Sequence, residues 1–250
     1  MTEAELEDLV DRWRDAGVAY EGGAAADSTR ARPAPPLDLE RLVLDTARAM
    51  RHVARLYNTT ATWLHDYGDL IAKHRLRRLI GDELAVDEQA PLGAVLDCAQ
   101  EGQNPREFAA VVVMLQPASE PMPLFKSFER NPRLLQIAKE STGTVGRRWR
   151  VYIDDEPLRP KVLRPASWIM KRHPDFVLRA DFKGDLRASV MASLAFDEGA
   201  DESELALARA AGGSRAQIRK ALDNLEMTGR VRRHRSKAGS RIELLKFAGA

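Results

Sequence analysis

Arg215, Gln217, Arg219 and Lys220 fall within six residues of one another, and Arg232, Arg233, Arg235, Lys237 and Arg241 follow shortly after. A guanidinium forks onto two phosphate oxygens or onto the edge of guanine, and an ammonium meets phosphate as a point charge. A glutamine amide matches the donor and acceptor of adenine. This chemistry is non-covalent recognition of a polyanion, and the bland alternative is a solvated basic face. Charge is distributed to suit recognition. Residues 212–250 hold ten Lys or Arg against Asp223, Glu226 and Glu243, a balance of +7, whereas residues 1–40 hold four Arg against ten carboxylates, a balance of −6. The whole chain carries only +2. An asymmetry of this kind points the basic end at a polyanion.

Catalytic constellations are missing from the sequence. There is no Gly-rich phosphate loop, no Gly-x-Ser-x-Gly elbow and no His-Glu-x-x-His. Asp154-Asp155-Glu156 stands beside Pro157 and reads as a solvated turn in preference to a metal site. Asp66 and Asp69, near His65 and His74, fit the polar side of a helix, and nothing pairs them with a nucleophile. His52, His65 and His74 do not share a face as metal ligands would need to. Cys98 is the one cysteine, which excludes an intrachain disulfide and a cysteine zinc site. The expectation is no enzyme, no cofactor and no metal.

The elements that would position these cations are legible. Ser214 with Gln217 three residues on is a capping-box start for a helix over 214–227. Ile218, Ala221, Leu222 and Leu225 form its apolar stripe, leaving Arg215, Gln217, Arg219 and Lys220 outward, and Gly229 closes it. Before it, 203–211 reads as a short helix ending at Gly212-Gly213, and 185–196 as a supporting helix with Leu186, Val190, Met191 and Leu194 on one side. After it, 230–235 and 241–245 flank a Gly-containing turn and predict a hairpin.

Helix, helix-turn-helix and hairpin in this order resemble the winged helix-turn-helix of bacterial transcription regulators. The resemblance rests on Leu207-Ala208-Arg209-Ala210-Ala211-Gly212-Gly213-Ser214-Arg215, then Ala221-Leu222, Leu225, Gly229 and Val231, and covers about 185–247. It implies a readout helix at 214–227 in the major groove and a wing tip at 236–240 on the backbone or minor groove. Site residues implied are Ser214, Arg215, Gln217, Arg219 and Lys220 on the helix, with Arg232, Arg233, Arg235, Lys237 and Arg241 fastening the wing. Such regulators usually carry this module first, and here it comes last.

The rest of the chain reads as helical, so the expected fold is mainly α. An amphipathic helix over 4–17, within a segment 1–20, presents Leu6, Leu9, Val10 and Trp13, and docks either at home or on a second subunit. A Gly-, Ala- and Pro-rich linker follows at 21–37. A helical domain spans 38–183. It opens with a long helix to about residue 80, broken near Asn58 or Gly68, which serves a dimer interface or an internal bundle equally well. Helices over 90–100 and 105–115 follow, and Asn131-Pro132 caps another through Lys139. Arg147 to Ile153 alternates and predicts one strand of a small hairpin returning at 158–163, read as a structural hairpin with its arginines in solvent in preference to a second nucleic-acid contact through Trp149. Two helical pieces over 165–171 and 174–181 lead into the C-terminal module at 184–250.

No apolar run approaches the roughly 20 residues of a membrane span, and the acidic N-terminus has no signal-peptide pattern, so a cytoplasmic protein is expected. The expected function is sequence-specific binding of double-stranded DNA by a homodimeric transcriptional repressor. An antitoxin-like or accessory role, in which the helical domain binds a partner protein, is the alternative, served by helices 4–17 and 105–115. A winged helix used only for protein contact is a third, which the basic wing opposes.

Overall fold

Thr2 and Glu5 close a capping box on the first helix, α1 (Glu3–Asp15), each side chain taking the other's backbone N–H. In this computed structural model, which describes residues 2–19, 32–100, 106–153, 158–236 and 239–245, α1 docks on its own chain. Leu9 and Trp13 are buried, Trp13 Nε1 donates to Thr46 Oγ1 at 2.8 Å, and its ring meets Trp63 edge-on at 5.6 Å. The linker expected at 21–37 lies outside the described residues up to 31, and 32–38 is neither helix nor strand. Among the described residues the chain is mainly helical, with a small two-stranded antiparallel sheet near the C-terminus.

The single long helix expected from 37 to 80 is three. These are α2 (Leu39–Ala49), capped by Asp38, α3 (Ala54–Tyr67) and α4 (Lys73–Glu83), with a 3-10 turn at Gly68–Leu70. Gly68 does break the run, and Asn58 lies inside α3. The break at 50–53 has no Gly or Pro to announce it. Tertiary contacts hold that turn: Met50 is fully buried, and the Arg51 carbonyl accepts the Lys126 N–H at 2.8 Å. Folding back there puts α3 at the centre, buried at every residue from Leu56 to Leu64. Within it Thr59 Oγ1 donates to the Arg55 carbonyl at 2.9 Å and Thr62 Oγ1 to the Asn58 carbonyl at 2.7 Å, while the Thr60 hydroxyl is buried without a hydrogen-bond partner.

Next come α5 (Val86–Ala99) and a single turn, α6 (Ala109–Val112), in place of the expected helix over 105–115. Pro105 lies outside the described residues, but Phe108, Val111, Val112 and Leu115 are buried. Then follow β1 (Met122–Pro123), α7 (Lys126–Glu129), α8 (Pro132–Ser141), α9 (Thr144–Trp149) and β2 (Val151–Tyr152). Asn131 caps α8 as expected, accepting from the N–H groups of Arg133 and Leu134.

The hairpin expected from 147 to 163 does not form. Val145, Gly146 and Trp149 bury at helical spacing, so 144–149 is helix, and Arg150 turns the chain at φ 54°. The short strand β2 then pairs in parallel with β1, while Leu163 bridges Val18. Trp149 packs over Gly93 of α5, which leaves no room there for a Cβ, and donates to Asp97 Oδ2 at 2.7 Å. A ring so buried cannot stack on a base. The turn expected at 154–157 lies outside the described residues.

Two short helices, α10 (Ala166–Arg172) and α11 (Asp175–Phe182), lead to α12 (Leu186–Phe196), α13 (Glu204–Ala211) and α14 (Arg215–Met227). The strands β3 (Val231–Ser236) and β4 (Gly239–Leu244) close the chain, paired from Val231↔Leu244 to Ser236↔Gly239. One large apolar cluster joins elements from α1 to α11, with no member from α8. A smaller one gathers Val190, Leu207, Ala211, Ile218, Leu222, Leu225, Val231 and Ile242 under the last helices and the strand pair. Between them α12 turns Ala188 and Ala192 toward Ala72. Among the described residues no helix is long and apolar enough to cross a membrane.

Candidate nucleic-acid interface

The first turn of α14 is built by reciprocal capping. Ser214 Oγ accepts from Gln217 N at 3.3 Å, and Gln217 Oε1 accepts from Ser214 N at 2.9 Å. Ile218, Ala221, Leu222 and Leu225 are buried, as their spacing predicts. Arg215, Ala216, Gln217, Arg219 and Lys220 are therefore all exposed. Arg215 and Lys220 have no ion pair among the described residues. Arg219 reaches back to Glu204 of α13 at 3.0 Å and stays largely in solvent. Gln217 is compromised as an adenine reader, because its amide oxygen is already held by the cap.

The cations of the strand pair differ in exposure and in partners. Arg232 is 61% exposed and touches Glu243 only at 3.8 Å, and Arg241 is 76% exposed beside Asp201 at 2.8 Å. Arg233 is different, with a side chain only 12% exposed. It donates to Glu226 at 2.5 Å and Asp223 at 2.7 Å, and its backbone N–H also meets Glu226. The bond to Glu226, ahead of that to Asp223, holds its pKa above the ordinary arginine value. Arg233 therefore fastens β3 to α14 and is unavailable to phosphate, which removes it from the expected wing contacts. The Arg235 side chain and all of Lys237 lie outside what the structure describes.

This arrangement also sorts the charge along α14. Its anions, Asp223 and Glu226, sit in the C-terminal half and are answered by Arg233. The N-terminal half carries cations alone. Arg187 and Asn224, which the sequence did not single out, flank that half. Arg187 donates to Asn224 Oδ1 at 2.9 Å and is paired with Asp185, lining a shallow cleft of about 400 Å³ with Gln217 and Lys220.

The position of α14 is set from α4. Gly212, the turn residue before it, has φ +77°, and a Cβ there would lie 2.5 Å from the His74 carbonyl. Both facts demand glycine. Arg78 Nε donates to the Ala210 carbonyl at 2.9 Å, and its guanidinium meets Asp197 at 2.9 Å. Asp197, at the end of α12, also takes two hydrogen bonds from Arg75, at 2.8 and 3.0 Å. Arg75 is fully buried and donates further to Asp38 at 2.6 and 2.8 Å and to Glu40 at 3.0 Å. Glu40 in turn accepts Arg179 at 2.7 Å.

Burial works against the charge of Arg75, but the bonds to Asp197 and Asp38 and the nearby Glu40 outweigh it and raise its pKa. Burial would likewise lift the Asp197 carboxyl, and Arg75 reverses this and holds it below its ordinary value. Among the described residues no group of three or more His, Cys, Asp or Glu side chains could hold a metal ion. Comparison with protein-family models, with curated proteins and with solved structures finds no match.

Proposed function

We propose that residues 184–245 form a winged helix-turn-helix that binds double-stranded DNA, and that the chain is a cytoplasmic transcriptional regulator acting as a homodimeric repressor. One observation carries the reading: the exposed N-terminal half of α14 holds Arg215, Arg219 and Lys220 without a carboxylate of its own. Recognition helices present their N-terminal residues to base edges in the major groove. Arg215 is the reader in this geometry, able to fork onto guanine, with Lys220 and Arg219 on base edges or phosphate. Arg232 and Arg241, with Arg235 and Lys237, would grip the backbone from the hairpin. Gln217 serves chiefly as the cap that presents Arg215.

Fluorescence anisotropy on the DNA upstream of the chain's own gene, beside a scrambled duplex and at several salt concentrations, tests this. Arg215→Ala should cost about 1–3 kcal/mol at one base position and leave the others unchanged. Phosphate contacts should give a steep loss of affinity with salt, shallower in an Arg232→Ala/Arg241→Ala variant. Equal weak binding to both duplexes would remove sequence specificity, and no binding at low salt would sink the DNA reading. The antitoxin-like or accessory alternative is less favoured, because Leu9 and Trp13 of α1 and Phe108, Val111 and Val112 are buried within the chain, although Val113 is exposed.

A further inference from the structure

We propose that the outer face of α8 is a twofold contact between two copies of this chain, packed as an antiparallel helix pair. Only Ala138 of α8 is buried, and Leu135 is half-buried beside it. Leu134 and Ile137 are instead 41% and 45% exposed, and with Ser141 they recur at i, i+3 and i+7. The helix thus has an inner contact through 135 and 138 and a separate, exposed apolar stripe through 134 and 137 that ends at the half-buried Ser141.

The edge of that stripe says what covers it. Arg133, Gln136 and Glu140 also recur at i, i+3 and i+7, so they line one side of the stripe as positive, neutral, negative. Arg133 is exposed with no ion pair among the described residues, and Glu140 is exposed, holding only the Gln136 amide at 2.5 Å. A second α8 laid antiparallel brings Arg133 of each copy to Glu140 of the other, with Gln136 and Ile137 near the axis. A parallel copy would set this row against the other edge of the partner's stripe and leave Arg133 and Glu140 without each other. The row is self-complementary under a twofold axis, which is the condition for an isologous interface. A nucleic acid would leave Leu134 and Ile137 unanswered. Lys139, on the opposite edge, is turned in over the Tyr152 ring at 5.4 Å and leaves the stripe clear.

Ten residues of helix span about 15 Å, and a pair of that length covers less than the roughly 1,600 Å² of a standard interface. The dimer should therefore be weak, with monomer and dimer exchanging at micromolar or higher protein. The contact stands on α8 alone and does not depend on DNA binding.

Sedimentation velocity of the full chain without DNA, across a range from micromolar to millimolar protein, is the test. Wild type should dimerise with concentration. Ile137→Glu sets two carboxylates near the axis and should weaken dimerisation about tenfold or more. Arg133→Glu and Glu140→Arg should each weaken it, and the double reversal, which restores opposite charges across the axis, should recover it. Circular dichroism melts at low concentration check that each surface variant keeps its fold. A wild-type chain that stays monomeric overturns the proposal, as does a dimer indifferent to Ile137→Glu or a double reversal no better than the singles. An unlike protein that binds this face of a monomeric chain also overturns it.

Discussion

Arg75 of α4 and Arg215 of α14 carry the same side chain into opposite surroundings. Arg75 is fully buried and spends its donors on Asp38, Glu40 and Asp197, whereas Arg215 stands in solvent without an ion pair among the described residues. A buried guanidinium needs several fixed acceptors to offset the loss of water, and a binding guanidinium needs the absence of them. The first set, Arg75 with Arg78 and Arg179, orders the seat of α12 to α14. The second set, Arg215 with Lys220, Arg232 and Arg241, is what that seat presents. The difference predicts that stability and ligand binding separate cleanly by residue.

The largest effect should come from the buried set. Arg75→Ala leaves three carboxylates short of a partner and should cost about 3–5 kcal/mol in urea unfolding. Arg215→Ala should leave the same unfolding curve nearly unmoved. Comparable losses from the two would erase the distinction drawn between them.

A sharper version uses neighbours on one strand. Arg233→Ala should cost roughly 1–2 kcal/mol of stability, since it unties β3 from Glu226 and Asp223. Arg232→Ala, one residue away and exposed, should leave the midpoint in place and appear only as a shallower salt dependence of the proposed DNA binding. An Arg232→Ala that lowers the midpoint as far as Arg233→Ala does would refute the division of labour along β3.

How far this could be read in advance follows from the range of the interactions. The start of α14 was legible because Ser214 and Gln217 are three residues apart and the stripe from Ile218 to Leu225 lies within one helix. Asn131-Pro132 was legible for the same reason. Arg75 was not. In sequence it belongs to the basic run Lys73-His74-Arg75-Leu76-Arg77-Arg78 and looks solvated, while its partners Asp38 and Asp197 are 37 and 122 positions away. The turn at 50–53 and the helical state of 144–149 failed likewise, because Lys126 and Gly93 decide them from a distance. Arg233 was misread because alternation says which side of a strand a residue takes, and only the fold says that Glu226 waits there.

His173 supplies a third case, a buried base with no carboxylate bonded to it. It is 1% exposed, stacked on Phe176 at 4.7 Å, and its Nε2 sits 2.9 Å from the Asp15 carbonyl at the end of α1. Its Nδ1 has no hydrogen-bond partner. Burial dominates and lowers its pKa below 6.5, while the Asp15 carbonyl and the charges of Asp175 and Asp15 pull weakly the other way, and Arg172 adds to the lowering. The unfolded chain therefore takes up this proton first as pH falls. The neutral ring's contribution is whole above pH 6.5 and is lost between 6.5 and the lower folded value. His173→Gln can keep a donor toward Asp15 without titrating, so its melting temperature should vary less with pH across that window than that of wild type. His52, whose pKa is also lowered by burial and then by Lys126, leaves the same residual slope in both proteins. Identical pH profiles would mean that the ring is hydrated or repaired on protonation, and that a buried cation here does not need the carboxylates that surround Arg75.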